Sequence, residues 1–481
     1  MWLEETASAP VRDELPDILA LLGDRSTLAR QHAFRIEEAG RPQELDAYRR
    51  LRRDAFVHEQ HLFQGHDLDD RDTDPRTRVL IARDLSGTIV GGVRLGPAPD
   101  GLDIGWWQGG RLVVARAARG PHGIGAALVR AACALAEAEG ALRFDATVQQ
   151  RNEALFRRLG WHRVRETRVA GAPHVLMRWP IGRIEAQASA AKAALGPLLA
   201  PLLGPFTTAA PGFTGDDGAP IPGTDMVAAC DTIVPSMVER DPGWAGWCAV
   251  LVNVNDLAAM GAVPVGLLDA LGAADTAHAA CVLAGLDRAA RAYGVPVLGG
   301  HTQLGVPATL TVTALGRTRH PVPGGGGRPG HAVRLTADLG GTWRPGYRGL
   351  QWDSTSHRRT ADLRTMIGAV ASARSAAAKD VSMAGIAGTL GMLAEASGCR
   401  AVLDVDAVPR PTGAVMGEWL TCFPGYAMLT ADRADAPLLD AGPAEQAVCG
   451  ELTTGEGVGL RWPDGDITEA VTSTVTGMGT A

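Results

Sequence analysis

Four aspartates, Asp216, Asp217, Asp231 and Asp256, stand in a Gly-framed, apolar stretch that reads GFTGDDGAPIPGTDMVAACDT and, further on, NVNDLAAMGAVP. An isolated carboxylate is costly to bury, so several of them on turns and at the end of an apolar segment point to a shared cation. Hard oxygen ligands suit magnesium, an ion that commonly arrives on the phosphates of ATP. A second pattern lies nearer the N-terminus. The apolar run LVV at 112–114 leads into the turn GPHGIGAA at 120–127, and the segment after it places Leu128, Ala131, Ala132 and Leu135 on one helical face. Bare backbone N–H groups and the helix dipole at such a turn can cradle a pyrophosphate, although glycines serve tight turns as readily.

The elements that must position these residues exceed one core. A chain of 481 residues calls for two or three domains. The formal net charge of −7 excludes a nucleic-acid partner, because no basic face dominates. No apolar run reaches the roughly 18–20 residues that cross a bilayer. The first residues, MWLEETASAPVRDELPD, are acidic where a secretion signal is basic, so a cytoplasmic protein is expected. Seven cysteines are scattered singly and read as reduced, mostly buried thiols.

Along the chain, 1–33 is expected to be an N-terminal extension with one short amphipathic helix (Ile18, Leu19, Leu21, Leu22, Leu28). From 34 to 180 the pattern is mixed α/β: a helix over 44–59, strands VLIAR and TIVGGVRL, the strand LVV, the turn and its helix, strand RFDATV and helix NEALFRRL. The segment 181–210 looks helical and is interrupted by Pro197 and Pro201, which reads as a linker. A lobe over 211–329 follows, with strand MVAAC, an Ala-rich segment at 245–261, a helix over 276–293 and strands VPVLGG and ATLTVTALG. The run PVPGGGGRPG at 321–330 marks a lobe boundary, and 330–481 holds helices at 366–378 and 384–397 and strands around AVLDV and YAMLTA.

The segment 34–180 resembles the GNAT family of N-acetyltransferases, on the strand LVV, the Gly-rich turn, and the later pattern at Asn152, Leu155, Leu159, Gly160 and Trp161. The run RLRRDAFVHEQ…LDDRD at 52–71 is similar to the family's first helix and substrate loop. The resemblance implies that Leu112, Val113 and Val114 pair with pantetheine, that Gly120, Gly123, Ile124, Gly125 and Ala126 hold the pyrophosphate, and that Asn152 completes an acetyl-coenzyme A site. Glu59 is the first candidate for the base that deprotonates a small amine, followed by His58 and Asp69. Arg119 lies four residues before Gly123 where the family has Arg or Gln at three, and Phe156 replaces the usual proton-donating Tyr. A phenyl ring cannot reprotonate a thiolate, so an acyl-coenzyme A-binding or scaffold role without transfer is the alternative.

The second half resembles the aminoimidazole ribonucleotide synthetase (AIR synthase) superfamily, which includes thiamine-monophosphate kinase, selenophosphate synthetase and the hydrogenase-maturation dehydratase. The matching motifs are G-D-D-G-A at 215–219, C-D-T at 230–232, N-V-N-D-L-A-A-M-G-A-V-P at 253–264, G-G-H-T at 299–302 and D-V-S-M-A-G at 380–385. The resemblance implies that Asp216, Asp217, Asp231, Asp256 and Asp380 hold Mg²⁺ on ATP, that Gly299, Gly300, His301 and Thr302 let backbone approach the phosphates, and that two lobes associate in a homodimer. His301 and Met383 stand where the kinase has aspartates, and the superfamily's reactive cysteines have no counterpart, so the substrate must differ. Arg344, Arg348, Arg358, Arg359 and Arg364 are either a receptor for an anionic substrate or a solvated loop. The expected fold is α/β and α+β multidomain: a mixed GNAT sheet with helices, then a two-lobed AIR synthase-like α+β fold. The expected activity is an N-acyltransferase joined to an ATP- and Mg²⁺-dependent small-molecule kinase, cyclase or dehydratase.

Overall fold

The computed structural model describes residues 34–120, 123–202 and 211–481; the expected helix near the N-terminus lies outside them. The chain divides between Ile181 and Gly182 into two compact units.

In the first unit the chain runs through β1 (Phe34–Glu38), α1 (Pro42–Arg53), β2 (Arg78–Asp84), β3 (Ile89–Pro97), β4 (Trp106–Val114), α2 (Ile124–Ala138), β5 (Arg143–Gln149), α3 (Glu153–Arg158), β6 (His162–Val169) and β7 (Ala172–Trp179). The seven strands form one sheet in the order β1-β2-β3-β4-β5-β7-β6. Its pairs are antiparallel except β4 with β5, which run parallel only over Trp106–Gly109 and Arg143–Ala146. The expected helix over 44–59 is α1 followed by one π-helical turn, Asp54–Glu59. The apolar residues of β2 are buried on both faces because α1 packs on one side of the sheet and α2 on the other.

The second unit begins with α4 (Arg183–Lys192) and α5 (Leu195–Leu199). They occupy the described part of the expected helical linker over 181–210, of which 203–210 lie outside the described residues, and they are packed on this unit. Ile184 and Ala188 are buried, the N–H of Gly196 donates to the carbonyl of Thr476 at 2.8 Å, and the Gln187 amide donates to the Met383 carbonyl at 2.9 Å. Ala- and Leu-rich sequence suits a packed helix as well as a spacer, and here burial decides.

Next come β8 (Ala219–Pro220), β9 (Met226–Thr232), α6 (Pro235–Arg240), α7 (Pro242–Ala259), β10 (Val263–Ala273), α8 (Thr276–Tyr293), β11 (Val297–Leu304) and β12 (Thr309–Arg317), with the strands ordered β11-β10-β12-β9-β8. Pro242 opens α7 at a position where its missing N–H costs nothing. Asp275 caps α8 by accepting the His278 N–H at 2.8 Å, and Gly294 closes it in the left-handed conformation. α7 is buried on nearly all sides, which is why its sequence lacks an amphipathic stripe.

The remaining elements are β13 (Ala332–Ala337), β14 (Thr342–Trp343), β15 (Trp352–Asp353), α9 (Thr360–Ala373), β16 (Ala377–Asp380), α10 (Gly385–Ala396), β17 (Arg400–Asp404), α11 (Met416–Thr421), β18 (Ala427–Asp432), β19 (Glu445–Thr453), β20 (Val458–Arg461) and β21 (Ile467–Val471). They build a second seven-stranded sheet, β16-β18-β13-β19-β17-β20-β21, and a small hairpin of β14 and β15. The helix expected over 366–378 is displaced: α9 stops at Ala373, and Ala377–Asp380 is a strand paired with β18. Alanine favours helix weakly, and strand pairing in a buried sheet overrides it. Among the described residues no helix is long and apolar enough to cross a membrane.

Candidate functional site

In the first unit the site is built by a defect in β4. Arg111 adopts φ +55°, a left-handed conformation uncommon outside glycine, where the β3–β4 register shifts. It is held there from several sides. The Tyr48 hydroxyl donates to the Arg111 carbonyl at 2.8 Å, and the Arg111 guanidinium donates to the carbonyl of Asp67 at 2.9 Å and to the carboxylate of Asp69 at 2.9 Å. Beyond the bulge, β4 no longer pairs with β5, and a cavity of about 280 Å³ opens between them. One wall is apolar, with Val129, Phe144, Val148, Phe156 and Trp161; the other carries Asp69, Arg71, Arg94 and Arg111. Leu112 lines the cavity, while Val113 and Val114 end the strand.

The turn after β4 leads into α2. Gly123 is its N-cap at φ +67°, so glycine is required there for the backbone. Gly125 has a different status, since an added Cβ would meet only Val114, at 3.7 Å. Neither strain nor packing demands glycine at 125, which leaves close approach by a ligand as a use for it. Gly120, Ile124 and Ala126 flank these positions, and Asn152 lies on the cavity wall.

The residues expected as bases fare differently. Glu59 forms a two-pronged ion pair with Arg119, at 2.5 and 2.8 Å, and the hydrogen bond from Arg119 lowers its pKa. A lowered pKa makes Glu59 a weaker base; Arg119 is likewise engaged with Glu59 and the Val114 carbonyl. Asp69 reaches the cavity, yet there desolvation is outweighed by the hydrogen bond from Arg94 and the charges of Arg94 and Arg111, and its pKa is also lowered. His58 is exposed in the π-helical turn and is not among the residues of the cavity wall. The group that sequence reasoning missed is His174 on β7, which is buried and lines the cavity. Its Nδ1 lies 2.9 Å from the Ala172 carbonyl, which can only accept, so in the neutral ring Nε2 is the basic nitrogen. A lone histidine in the strand APHVLMRW carried no signal in sequence.

In the second unit the carboxylates come from three places. Asp216 and Asp217 lie on the turn before β8, Asp256 on the last turn of α7, and Asp380 at the end of β16. One oxygen each of Asp217, Asp256 and Asp380 lies within 4.8 Å of the others. Asp216 stands beside this trio. Its Oδ2 accepts the Gly324 N–H at 2.6 Å, and a Cβ on Gly324 would fall 2.6 Å from its Oδ1. The run PVPGGGG thus wraps the site as well as joining the lobes. Lys379, also unrecognised in sequence, is almost wholly buried and places Nζ 3.0 Å from Asp216 and 2.9 Å from Asp217.

The electrostatics are those of a site short of positive charge. Burial and then the neighbouring carboxylates push Asp256 and Asp380 well above the ordinary range, and burial raises Asp217 to about 6 although Lys379 opposes it. Asp231, at the end of β9 and open to solvent on one side, is raised by desolvation and eased by Lys192. Three hard oxygen donors of this kind could hold a divalent cation.

Gly299, Gly300, His301 and Thr302 lie on the exposed strand β11, paired with Leu268, Asp269, Ala270 and Leu271 of β10; among the described residues no hydrogen bond or ion pair ties them to the aspartates. The arginines of 344–364 are largely occupied: Arg344 pairs with Asp241, Arg358 with Asp338, and Arg359 with Asp362.

Residues 45–161 match the family model of the acetyltransferase (GNAT) family, 215–318 that of the AIR synthase related protein N-terminal domain, and 328–463 that of the AIR synthase related protein C-terminal domain. An uncharacterized protein of Synechocystis is 37% identical over 227 residues, 46% of this chain and 70% of that protein. A thiamine-monophosphate kinase of Synechococcus elongatus is 38% identical over 128 residues, 24% of this chain and 38% of the kinase. Among solved structures, the Aquifex aeolicus thiamine-monophosphate kinase complexed with AMPPCP and TMP covers 56% of this chain and 92% of its own at 20% identity and a TM-score of 0.44. The chain therefore belongs to the AIR synthase related proteins and carries, ahead of that two-lobed domain, a domain of the GNAT acetyltransferase family.

Proposed function

We propose that the chain is a bifunctional biosynthetic enzyme: the first unit transfers an acyl group from acetyl-coenzyme A to the nitrogen of a small amine, and the second uses ATP and Mg²⁺ to phosphorylate an oxygen of a small molecule. The bulge at Arg111 carries the first half of this reading. It frees the β4 backbone of residues 110–114 from β5 just where the chain turns into the glycine-rich start of α2, a fit to an extended thioester arm ending in a pyrophosphate. Acetyl-coenzyme A supplies the activated acyl group. The chain positions the amine in the cavity, and Nε2 of His174 takes the proton that the amine must lose to become a nucleophile.

Replacing His174 with Gln keeps a polar side chain with a donor and an acceptor and removes the base. The expected result is a fall in kcat of about 10²–10⁴-fold with little change in acetyl-coenzyme A affinity. Turnover of the variant at the parent rate would remove His174 from the mechanism. Phe156 favours a second reading, in which this unit binds acyl-coenzyme A without transferring it: the ring packs edge-on against Trp161, 5.3 Å between centroids, and offers no proton to a leaving thiolate. Saturable binding with no acetylation of any amine in a broad panel would favour that reading.

In the second unit Asp217, Asp256 and Asp380, with Asp231 and Asp216 beside them, would hold Mg²⁺. Bound ATP supplies a phosphoryl group that turns a poor leaving oxygen into a good one. The exposed apolar side chains of β10 and β11, namely Val263, Val265, Leu268, Val297, Leu298 and Leu304, support association of two copies through this sheet. Light scattering should give the mass of a dimer; a monomer at micromolar concentration would contradict it. Seven unpaired cysteines suit a reducing, cytoplasmic setting.

A further inference from the structure

The charged wall of the cavity in the first unit is larger than a tie for the β4 bulge requires. Behind it lies a connected network of guanidiniums and carboxylates. Arg52, fully buried, pairs with Asp67 at 2.7 Å and with Asp72; Arg94 pairs with Asp69 at 2.6 Å and Asp72 at 2.9 Å; Arg111 pairs with Asp67 at 3.1 Å and Asp69 at 2.9 Å. These three arginines neutralise the three aspartates. Arg71 is a fourth guanidinium in the same wall. It donates to the carbonyls of Pro97 at 2.9 Å and Ala98 at 2.8 Å, and among the described residues it has no carboxylate within ion-pairing distance.

Carbonyl contacts orient a guanidinium and leave its charge in place, so among the described residues Arg71 is a cation of the cavity wall that no carboxylate pairs directly; Asp69, Asp74 and Asp100 act on it only at longer range. Desolvation and the nearby charge of Arg94 lower the Arg71 pKa and outweigh the opposing charges of Asp69, Asp74 and Asp100. A planar guanidinium with two of its donors already anchored is also suited to fork-like recognition of a carboxylate.

We infer that the amine acylated in this cavity carries a carboxylate, which binds at Arg71, and that its remaining body lies against the apolar lining residues Phe56, Leu62 and Phe63. The inference rests on the acyltransferase reading of this site and names its acceptor class: amino acids or other small carboxylate-bearing amines, in place of simple amines and polyamines. Asp69 does not repel such a ligand, because its own charge is shared between Arg94 and Arg111.

The test uses the intact chain and matched probes that differ only in charge. N-acetylglycine, N-acetylleucine and N-acetylphenylalanine, and the corresponding neutral amides, are titrated by calorimetry, with acetyl-coenzyme A titrated separately. At least one acid should bind roughly tenfold or more tightly than its amide, the effect expected of one hydrogen-bonded charge pair. Arg71→Gln should abolish that preference, and Arg71→Lys, which keeps the charge, should retain part of it. Thermal unfolding checks that both variants are folded. If no acid is preferred over its amide, or if R71Q keeps the preference, the inference falls. If acetyl-coenzyme A itself fails to bind, the acyltransferase reading fails instead, whatever the acids do.

Discussion

Replacing Asp256 and Asp380 together with Asn should abolish Mg²⁺-dependent ATP binding, lowering affinity by at least roughly a hundredfold, since two charge-assisted ligand contacts of about 1.5–3 kcal/mol each are lost. The same change should not unfold the protein. In the absence of a cation these two buried carboxyls already resist ionisation, so neutral amides remove repulsion from the folded state. The pH dependence gives the sign. Folded-state pKa values raised above the unfolded value mean that the folded protein binds more protons, so this contribution to stability is present below about pH 4 and is lost as pH rises through about 6, the value for Asp217, and beyond it. The melting temperature of the metal-free parent should therefore carry a downward component as pH rises from about 5 to about 8, smaller in the double variant, and Mg²⁺ should restore most of it. Equal affinity for Mg²⁺-ATP in parent and variant, measured by calorimetry, would dismiss the carboxylate trio as the nucleotide's metal site.

Lys379→Met is expected to be the most damaging single change in the second unit. The methionine fills a similar volume, yet it strips the one ammonium that, among the described residues, contacts Asp216 and Asp217, and leaves two buried carboxylates uncompensated. Breaking a buried pair in this way costs about 3–5 kcal/mol. Because the cost is electrostatic, Mg²⁺ or mild acid should recover part of it, whereas a packing defect would be indifferent to both. Denaturant unfolding with and without Mg²⁺ separates the two. A variant as stable as the parent in the absence of metal would mean that Lys379 contributes nothing to holding the aspartates.

The aspartates were legible because they stand out: carboxylates amid glycine and apolar residues need a reason, and five motifs in order supplied one. Lys379 was hidden in AAKD, where a single lysine reads as a surface residue until the strand pairing of β16 puts it inside. His174 and Arg71 were hidden for a related reason, since each acquires its meaning from strands distant in sequence that converge on one cavity. Glu59 misled because its partner, Arg119, lies sixty positions away. The segment 183–199 misled because an interrupted helix need not free the chain: Pro197 sits inside α5, and α4 and α5 stay packed on their own unit. A cut that separates the two halves therefore belongs between Trp179 and Arg183, ahead of α4.

Titration calorimetry of the intact protein tests most directly the reading that one chain carries two ligand sites. Acetyl-coenzyme A should bind saturably, one per chain, and ATP should bind in the same way only when Mg²⁺ is present. No heat of binding from acetyl-coenzyme A, or an ATP affinity that is the same with and without Mg²⁺, would contradict it.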